Sequence, residues 1–155
     1  MSCQLSVSNS SCAICLLHDD LSSCDRYEIL RTDHWVLRHH PDPAPLKGWL
    51  LLDSLRHCPG PIDFRVDEAR SWGCVLRDSS ALVQKLTGCE RVYAIAFGEG
   101  AQHLHLHLIP RFISDSSTTS WAVADHYRAV ADGQRSGADP GSVRDLVLHA
   151  RELMS

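Results

Sequence analysis

The clearest periodic pattern lies in the middle of the chain. From about Val66 to Leu86, apolar residues recur at intervals of three and four positions, which places them on one side of an α-helix. The pattern predicts a long helix with one buried stripe, and Gly88 is well placed to end it. We expect Trp72 to lie in the core because it belongs to the stripe. The stripe comprises Ala69, Trp72, Val75, Leu76, Leu82, Val83 and Leu86.

Short β-prone runs lie on both sides of this helix. Two of them are joined by Thr32, Asp33 and His34 and predict a hairpin. Residues 39–45 contain three prolines, which lack amide donors and restrict the residues before them, so this stretch must be a loop. The predicted strands before the last one cover residues 27–31, 35–38, 48–53 and 91–97.

The last predicted strand carries an unusual alternation of polar and apolar residues. Residues 103–111 read HLHLHLIPR, with a histidine at every second position. Successive side chains of a strand point to opposite faces, so His103, His105 and His107 are expected in a row on one face, with leucines on the other. Residues 98–101 are short enough to turn the preceding strand back antiparallel into this one, which makes the histidine strand central.

These elements predict an α+β domain. We expect a mostly antiparallel sheet of about five strands, one long central helix and a C-terminal helix at 143–153, with further helical character at 121–130. Residues 1–155 should form a single domain. Residues 1–11 are serine-rich and without periodicity, and are expected to be a loosely held tail.

Composition and charge narrow the functional classes. The chain is 44% hydrophobic and carries a formal net charge of -4, without any basic run, so neither nucleic acid nor an acidic membrane is an expected partner. The longest apolar runs are too short to span a bilayer, and a signal peptide is not recognisable, so we expect a cytoplasmic protein. Seven cysteines in a chain of this size favour reduced thiols or metal ligands over a disulfide framework.

The pair Cys12 and Cys15 forms a C-x-x-C motif with three interpretations: a redox pair, half of a zinc site, or two buried thiols. A redox pair normally lies between a strand and a helix, whereas an irregular tail precedes this one. Five other histidines show no functional spacing and are expected to be surface residues: His18, His34, His39, His126 and His149.

A row of imidazoles can bind a metal, act as acid and base, or attack phosphorus as a nucleophile. For the last of these, neighbouring groups must aim the attacking nitrogen and neutralise the phosphate oxygens, and a second histidine two residues away suits that purpose. The pattern therefore favours phosphoryl or nucleotidyl transfer without a catalytic metal.

From Cys12 to about Arg111, the chain resembles the histidine triad (HIT) family. The resemblance rests on the C-x-x-C pair, the Lys47-Gly48 strand, His57 just after it, the central helix and the His-x-His-x-His segment. It implies that His105 is the nucleophile, with a nucleoside monophosphate bonded to its ring, and that His107 contacts the phosphate. It also implies a small nucleotide substrate, no organic cofactor and a homodimer.

Some members of the family bind a structural zinc, which the resemblance assigns to Cys12, Cys15, His57 and His103 here, a Cys₂His₂ set that suits tetrahedral zinc. The loop before the triad is shorter than in many members and Gln102 directly precedes His103, while Asp42 is the best candidate for a ribose contact. This shortened form resembles a bacterial subset similar to dinucleoside polyphosphate hydrolases.

Three functional hypotheses follow. The first is a nucleotide hydrolase or transferase that cleaves a dinucleoside polyphosphate or a nucleoside phosphoramidate at the α-phosphate through a nucleotidyl-histidine intermediate. The second is a zinc-stabilised module that binds a nucleotide or a partner with little turnover. The third discards the family resemblance and uses the triad histidines to hold a catalytic metal.

Overall fold

The computed structural model describes residues 9–155, and an antiparallel sheet of five strands is its centre. The strands are β1 (Glu28–Arg31), β2 (Trp35–His39), β3 (Leu50–Ser54), β4 (Arg91–Ile95) and β5 (His105–Arg111), in the spatial order β1-β2-β3-β5-β4. The predicted hairpin of β1 and β2 is present, and β5 lies between β3 and β4. The predicted fold class is therefore confirmed.

Five helices surround the sheet. They are α1 (Ala13–Asp19), α2 (Leu21–Tyr27), α3 (Val66–Thr87), α4 (Val123–Ala131) and α5 (Pro140–Met154). The predicted long helix is α3, and Gly88 ends it with a φ of 69°, in the left-handed region where glycine is the favoured residue. Trp72 packs on the main core as a partly buried residue, beside Trp35 and Phe64.

The main core lies between one face of the sheet and helices α3 and α5. Leucines at alternate positions of the inner strands point to this side, where Leu52 and Leu108 are fully buried with Val83 and Val147. Gly48, just before β3, has a φ of 84°, and a Cβ there would lie 2.2 Å from Thr87 of α3. Glycine therefore lets the strand approach the long helix closely.

The opposite face of the sheet is covered only at its two ends. At one end, α4 packs on it through a smaller apolar cluster of Trp49, Ile109 and Val123. At the other end α1 contacts it, since His18 of α1 is hydrogen-bonded to Asp53 of β3. The middle of this face carries the polar residues of the candidate site.

Three expectations from the sequence require correction. Helices α1 and α2 were not predicted, because each has only seven residues and too few turns for a clear periodicity. The connection from β4 to β5 is longer than the predicted turn at 98–101 and spans residues 96–104. Consequently His103 precedes β5 instead of belonging to it.

The pairing of β5 with β4 stops short of residue 104 because the chain there has other partners. The amide of Leu104 donates to the carbonyl of Cys58, and the carbonyl of Leu104 accepts from the amide of Ser54, so the chain pairs here with the end of β3 and the segment after it, and not with β4. His103 therefore lies just before β5, while Leu104 still packs in the main core with Leu106 and Leu108.

Of the predicted tail, residues 1–8 lie outside the described residues, and residues 9–11 are an exposed turn before α1. No helix in residues 9–155 combines the length and the hydrophobicity needed to cross a membrane.

Candidate active site and metal centre

Two cross-strand rows form the polar middle of the sheet face. Residues paired directly across antiparallel strands point to the same face. His105 of β5 pairs with Asp53 of β3, and His107 pairs with Leu51, which in turn pairs with Arg38 of β2. The strand register thus places the two histidines, a carboxylate and a guanidinium on one face.

His105 has one ring nitrogen committed and one free. Its Nδ1 lies 2.6 Å from the carbonyl oxygen of His103, a distance at which Nδ1–H donates to that oxygen. The neutral ring then carries its lone pair on Nε2. Since the ring is only partly buried, that nitrogen is placed as an accessible nucleophile.

His107 has the opposite arrangement. The indole Nε1–H of Trp49 donates to its Nδ1 at 3.0 Å, so the proton of the neutral ring must be on Nε2. The rings of His105 and His107 are 5.4 Å apart between centroids. The site thus offers one lone pair and one N–H donor side by side, which suits attack on phosphorus beside a bound phosphate oxygen.

Aromatic rings enclose His107. Phe97 from the loop after β4 lies 4.9 Å from it between centroids, and Tyr127 of α4 lies 5.7 Å from it. The residue is 3% exposed. Burial and the positive charges of His105, His40 and Arg38 lower the pKa of His107 to about 3, so it is neutral at physiological pH.

A fourth histidine, His40, lies beside this pair, although its position in the sequence indicated no role for it. Its amide donates to the carbonyl of Trp49, which continues the ladder one residue past β2, and its ring is 6.3 Å from His107 between centroids. Its Nδ1–H donates to the carbonyl of Pro41, which leaves Nε2 as an acceptor. Burial lowers the pKa of His40 to about 4.

A buried ion network borders His105. Asp53 is fully buried and accepts from Arg38 at 2.6 Å and from His18 at 2.9 Å. Burial alone would raise the pKa of Asp53, but Arg38 and His18 hold it at about 2. The network joins β2, β3 and α1, so it supports the strand that faces His105.

Next to this network, four thiol and imidazole groups converge. Cys12 and Cys15 come from the start of α1, His57 from the segment after β3, and His103 from the bend before β5. One ligand atom from each of the four lies within 4.8 Å of all the others. The structure therefore brings together the four residues that the family resemblance named.

The spacing of these atoms fits a zinc ion. Zinc–sulfur bonds of about 2.3 Å and zinc–nitrogen bonds of about 2.0 Å at tetrahedral angles put sulfur and nitrogen about 3.5 Å apart. Three such distances are 3.5 Å: Cys12 Sγ to His103 Nδ1, Cys15 Sγ to His103 Nδ1, and Cys15 Sγ to His57 Nδ1. His103 Nε2 lies 2.7 Å from the Ser54 carbonyl and donates to it, so Nδ1 is the free lone pair.

The two predicted substrate contacts lie in different connections, Asp42 between β2 and β3 and Gln102 between β4 and β5. Gln102 is exposed at the end of the 96–104 connection. Asp42 accepts from Arg26 at 2.8 Å and from Tyr27 at 2.9 Å through Oδ2, while its Oδ1 is buried and has no partner among the described residues. Both assignments to substrate stay predictions.

Several residues of the site were missed from the sequence. The predicted surface position is wrong for His18 and His39, which are buried, and for His126, which donates through Nε2 to the carbonyl of Pro45. Asp53 could have been found, because a charged residue directly after the apolar run 49–52 indicates a polar group at the end of a buried strand. Nothing in the sequence indicated that Trp49 and Tyr127 belong to the site, since aromatic residues in apolar runs usually belong to a core.

No protein-family model matches the chain, and no curated protein matches it by sequence. Solved structures do match its fold. A HIT-like protein from Bartonella henselae, described as involved in cell-cycle regulation, superposes with a TM-score of 0.67 at 10% identity, covering 94% of this chain and 97% of that one.

Two further structures bear on the site. A zinc-bound histidine triad protein from Mycobacterium smegmatis has a TM-score of 0.64 at 14% identity, covering 93% of this chain and 95% of its own. A diadenosine triphosphate hydrolase from Plasmodium falciparum has a TM-score of 0.60 at 13% identity, covering 83% and 76%. At these identities the similarity establishes the histidine triad fold.

Proposed function

We propose that this protein is a nucleotide hydrolase or transferase that cleaves its substrate at the α-phosphate, with His105 as the nucleophile. One observation carries the proposal: Nδ1–H of His105 is bound to the His103 carbonyl, which leaves Nε2 as a lone pair on an accessible ring. Histidine triad neighbours, among them a diadenosine triphosphate hydrolase, support the same chemistry.

In the proposed reaction, Nε2 of His105 attacks the α-phosphorus and forms a nucleotidyl-histidine. The His103 carbonyl stabilises the positive charge that develops on the ring, because it accepts from Nδ1–H. Nε2–H of His107 donates to a phosphate oxygen. Water or another acceptor then takes the nucleotide from His105.

We further propose that Gln102 contacts the phosphate and that Asp42 contacts the ribose. Gln102 lies on the exposed connection one residue before the triad, where its amide can donate to an anion. Asp42 lies in the loop after β2, two residues from His40, and its carboxylate is of the type that accepts from a sugar hydroxyl. This contact requires Oδ1, which is buried here, to become accessible to the ligand.

We also propose that Cys12, Cys15, His57 and His103 hold a structural zinc ion. The donor set, the 3.5 Å spacing and the free Nδ1 of His103 support this assignment, as does the zinc-bound neighbour. Four protein ligands complete a tetrahedral shell, so the metal would supply cross-linking of three chain segments and no open coordination position.

The experiment is direct trapping of the intermediate. Purified protein is mixed with dinucleoside polyphosphates of each base, quenched without acid, and analysed by peptide mass spectrometry together with product analysis. We expect a nucleoside monophosphate adduct on His105 and release of nucleoside monophosphate. Turnover without a His105 adduct, or full turnover in His105→Ala, would contradict the proposal.

A second candidate function is nucleotide or partner binding with little turnover. The observation that favours it is the enclosure of His107 by Phe97, Trp49 and Tyr127, which narrows access to its Nε2. Nanomolar to micromolar nucleotide binding by calorimetry, with neither adduct nor product, would select this alternative.

We propose a homodimer as the assembly and the cytoplasm as its location. β4 is an edge strand with a half-exposed surface, which leaves its outer backbone groups available for a second sheet. Sedimentation equilibrium gives the mass directly, and a monomer at micromolar concentration would contradict the dimer.

A further inference from the structure

The contact between Trp49 and His107 has a consequence for the substrate. Both side chains are buried, and the indole Nε1–H points at Nδ1 of His107 from 3.0 Å. An indole nitrogen is a donor only and never accepts a hydrogen bond. Nδ1 of His107 can therefore hold only a lone pair while this contact exists.

A histidine that acts as a proton donor in catalysis usually has a different kind of partner at Nδ1. A carboxylate or carbonyl accepts from Nδ1–H and thereby favours the doubly protonated ring, as in catalytic triads. Trp49 does the reverse, because a proton on Nδ1 would face the indole N–H and break the bond. His107 is thus held as a neutral ring with one proton on Nε2, which can donate a hydrogen bond to a phosphate oxygen but is a very weak acid.

The neighbouring imidazoles and the guanidinium do not replace that missing acid. Nδ1–H of His105 is bound to the His103 carbonyl, and Nδ1–H of His40 is bound to the Pro41 carbonyl, so both rings offer only lone pairs to the site. A guanidinium does not release its proton. The titratable and charged groups of the described residues that face His107 are His105, His40, Arg38, Asp53 and Tyr127.

We propose that Trp49 is a positioning residue that restricts the site to substrates whose leaving group departs as a stable anion, namely a phosphate or polyphosphate, and excludes phosphoramidates and other amine leaving groups. The inference rests on the proposed function of His105. A phosphate leaves as an anion without prior protonation, since its second pKa is about 6. An amine leaves readily only after its nitrogen has taken a proton.

The bonds balance without an acid. The lone pair on Nε2 of His105 forms the P–N bond, and the bridging P–O bond breaks with its electron pair going to the departing phosphate. Water then forms a P–O bond, the P–N bond breaks, and its electron pair returns to Nε2. One water proton is released to solvent, and the other stays on the phosphate until that group ionises.

The first test compares leaving groups on one nucleoside. Formation of the His105 adduct is followed by rapid quench with diadenosine triphosphate and with an adenosine phosphoramidate of a simple alkylamine, and then with the guanosine pair. General acid catalysis is worth about 10²–10⁴-fold, so we expect the polyphosphate to react at least ~100-fold faster. Equal rates would overturn the restriction while leaving the nucleophile assignment intact.

A second test needs no substrate. Nitrogen-15 NMR of the imidazole rings distinguishes Nε2–H, Nδ1–H and doubly protonated histidine. We expect His107 to be the neutral Nε2–H form from pH 8 to pH 5. A doubly protonated or Nδ1–H ring above pH 6 would overturn the role of Trp49 even in a protein that forms no adduct, whereas the absence of any adduct contradicts the proposed function itself.

The third test removes the donor and keeps a ring. In Trp49→Phe, Nδ1 of His107 is free to take a proton, so the preference for the polyphosphate over the phosphoramidate should fall by about tenfold or more. Trp72→Phe is the matched control, since that tryptophan belongs to α3 and packs against the main core on the other face of the sheet. An unchanged preference in a folded Trp49→Phe protein, shown by its NMR spectrum, would contradict the proposal.

Discussion

Two neighbouring regions use histidines two residues apart: the cluster of Cys12, Cys15, His57 and His103, here called the metal-type corner, and the proposed nucleophile His105. Their two rings are held in opposite ways. His103 donates from Nε2 to the Ser54 carbonyl and turns Nδ1 toward the two thiols. His105 donates from Nδ1 to the His103 carbonyl and leaves Nε2 open. The backbone carbonyl that each ring finds therefore selects the nitrogen that is left for chemistry.

The two regions also differ in enclosure. His103 is 1% exposed and surrounded by four converging ligand atoms, whereas His105 is partly exposed at the middle of an otherwise covered sheet face. A closed set of donors suits a structural ion, and a single free nitrogen on a partly exposed ring suits a reacting group. The following predictions test whether this division holds.

The largest expected effect is on activity. His105→Ala should lower turnover at least about 10³-fold, because it removes the attacking atom. Zinc content, measured by mass spectrometry of the metal, should be unchanged. His149→Ala is the control, since that ring is exposed on α5. A His105→Ala protein that loses its zinc as well would show that the two regions are not separable.

The next effect concerns the ion network between the regions. Asp53→Asn leaves the buried Arg38 guanidinium without its counter-ion, so the free energy of unfolding should fall by about 3–5 kcal/mol. Urea denaturation measures this fall. Asp67→Asn removes an exposed ion pair with Arg70 and should leave the stability nearly unchanged. Similar values for both variants would contradict a structural role of Asp53.

A smaller effect is expected for one ligand of the metal-type corner. Cys12→Ser should lower zinc affinity by about 100-fold, measured by competition with a chelating dye, because thiolate is the better zinc ligand. Cys74→Ser serves as control, since Cys74 is exposed on α3. If Cys12→Ser bound zinc as tightly as the parent, the proposed ligand set would be wrong.

The smallest effect is on the pH dependence of stability. It concerns His39, which is kept neutral by burial and is not one of the four metal-type ligands. His39 accepts from the Gly48 amide through Nε2, and burial lowers its pKa to about 4, against about 6.5 in an unfolded chain. The unfolded state therefore binds more protons between these pH values, so stability falls as the pH drops from about 6.5 to about 4.

Each such histidine contributes a slope of at most about 1.4 kcal/mol per pH unit. His39→Gln should remove its share of that slope in urea titrations between pH 7 and pH 4.5. Asp53 does not interfere, because its stabilising effect is present above about pH 4 and is lost only as the pH falls toward about 2. An unchanged slope in His39→Gln would mean that other groups cause the pH dependence.

Long periodic elements were predictable and short ones were not. α3 and its end at Gly88 follow from 22 residues of regular spacing, and the predicted strands lie within a few residues of the observed ones. Helices α1 and α2 escaped prediction because seven residues make only two turns. The start of the last strand was mistaken: β5 begins at His105, since the backbone of Leu104 pairs with Cys58 and Ser54 and not with β4. The alternation itself persists, because Leu104, Leu106 and Leu108 all pack in the main core.

The sequence by itself determined the fold class. Through the family resemblance it also named the four donors of the metal-type corner and predicted His105 and His107 as the reacting pair. These depend on residue type and spacing, which the chain carries locally. The tertiary structure alone decided which nitrogen of each histidine is free, because the partners Ser54, His103 and Trp49 come from other strands or from the backbone of the bend. Ser54 and Trp49 are distant in sequence from the histidines that they bind, so no local pattern reveals these partners. The different free nitrogens that result support the proposed roles of ligand, nucleophile and donor.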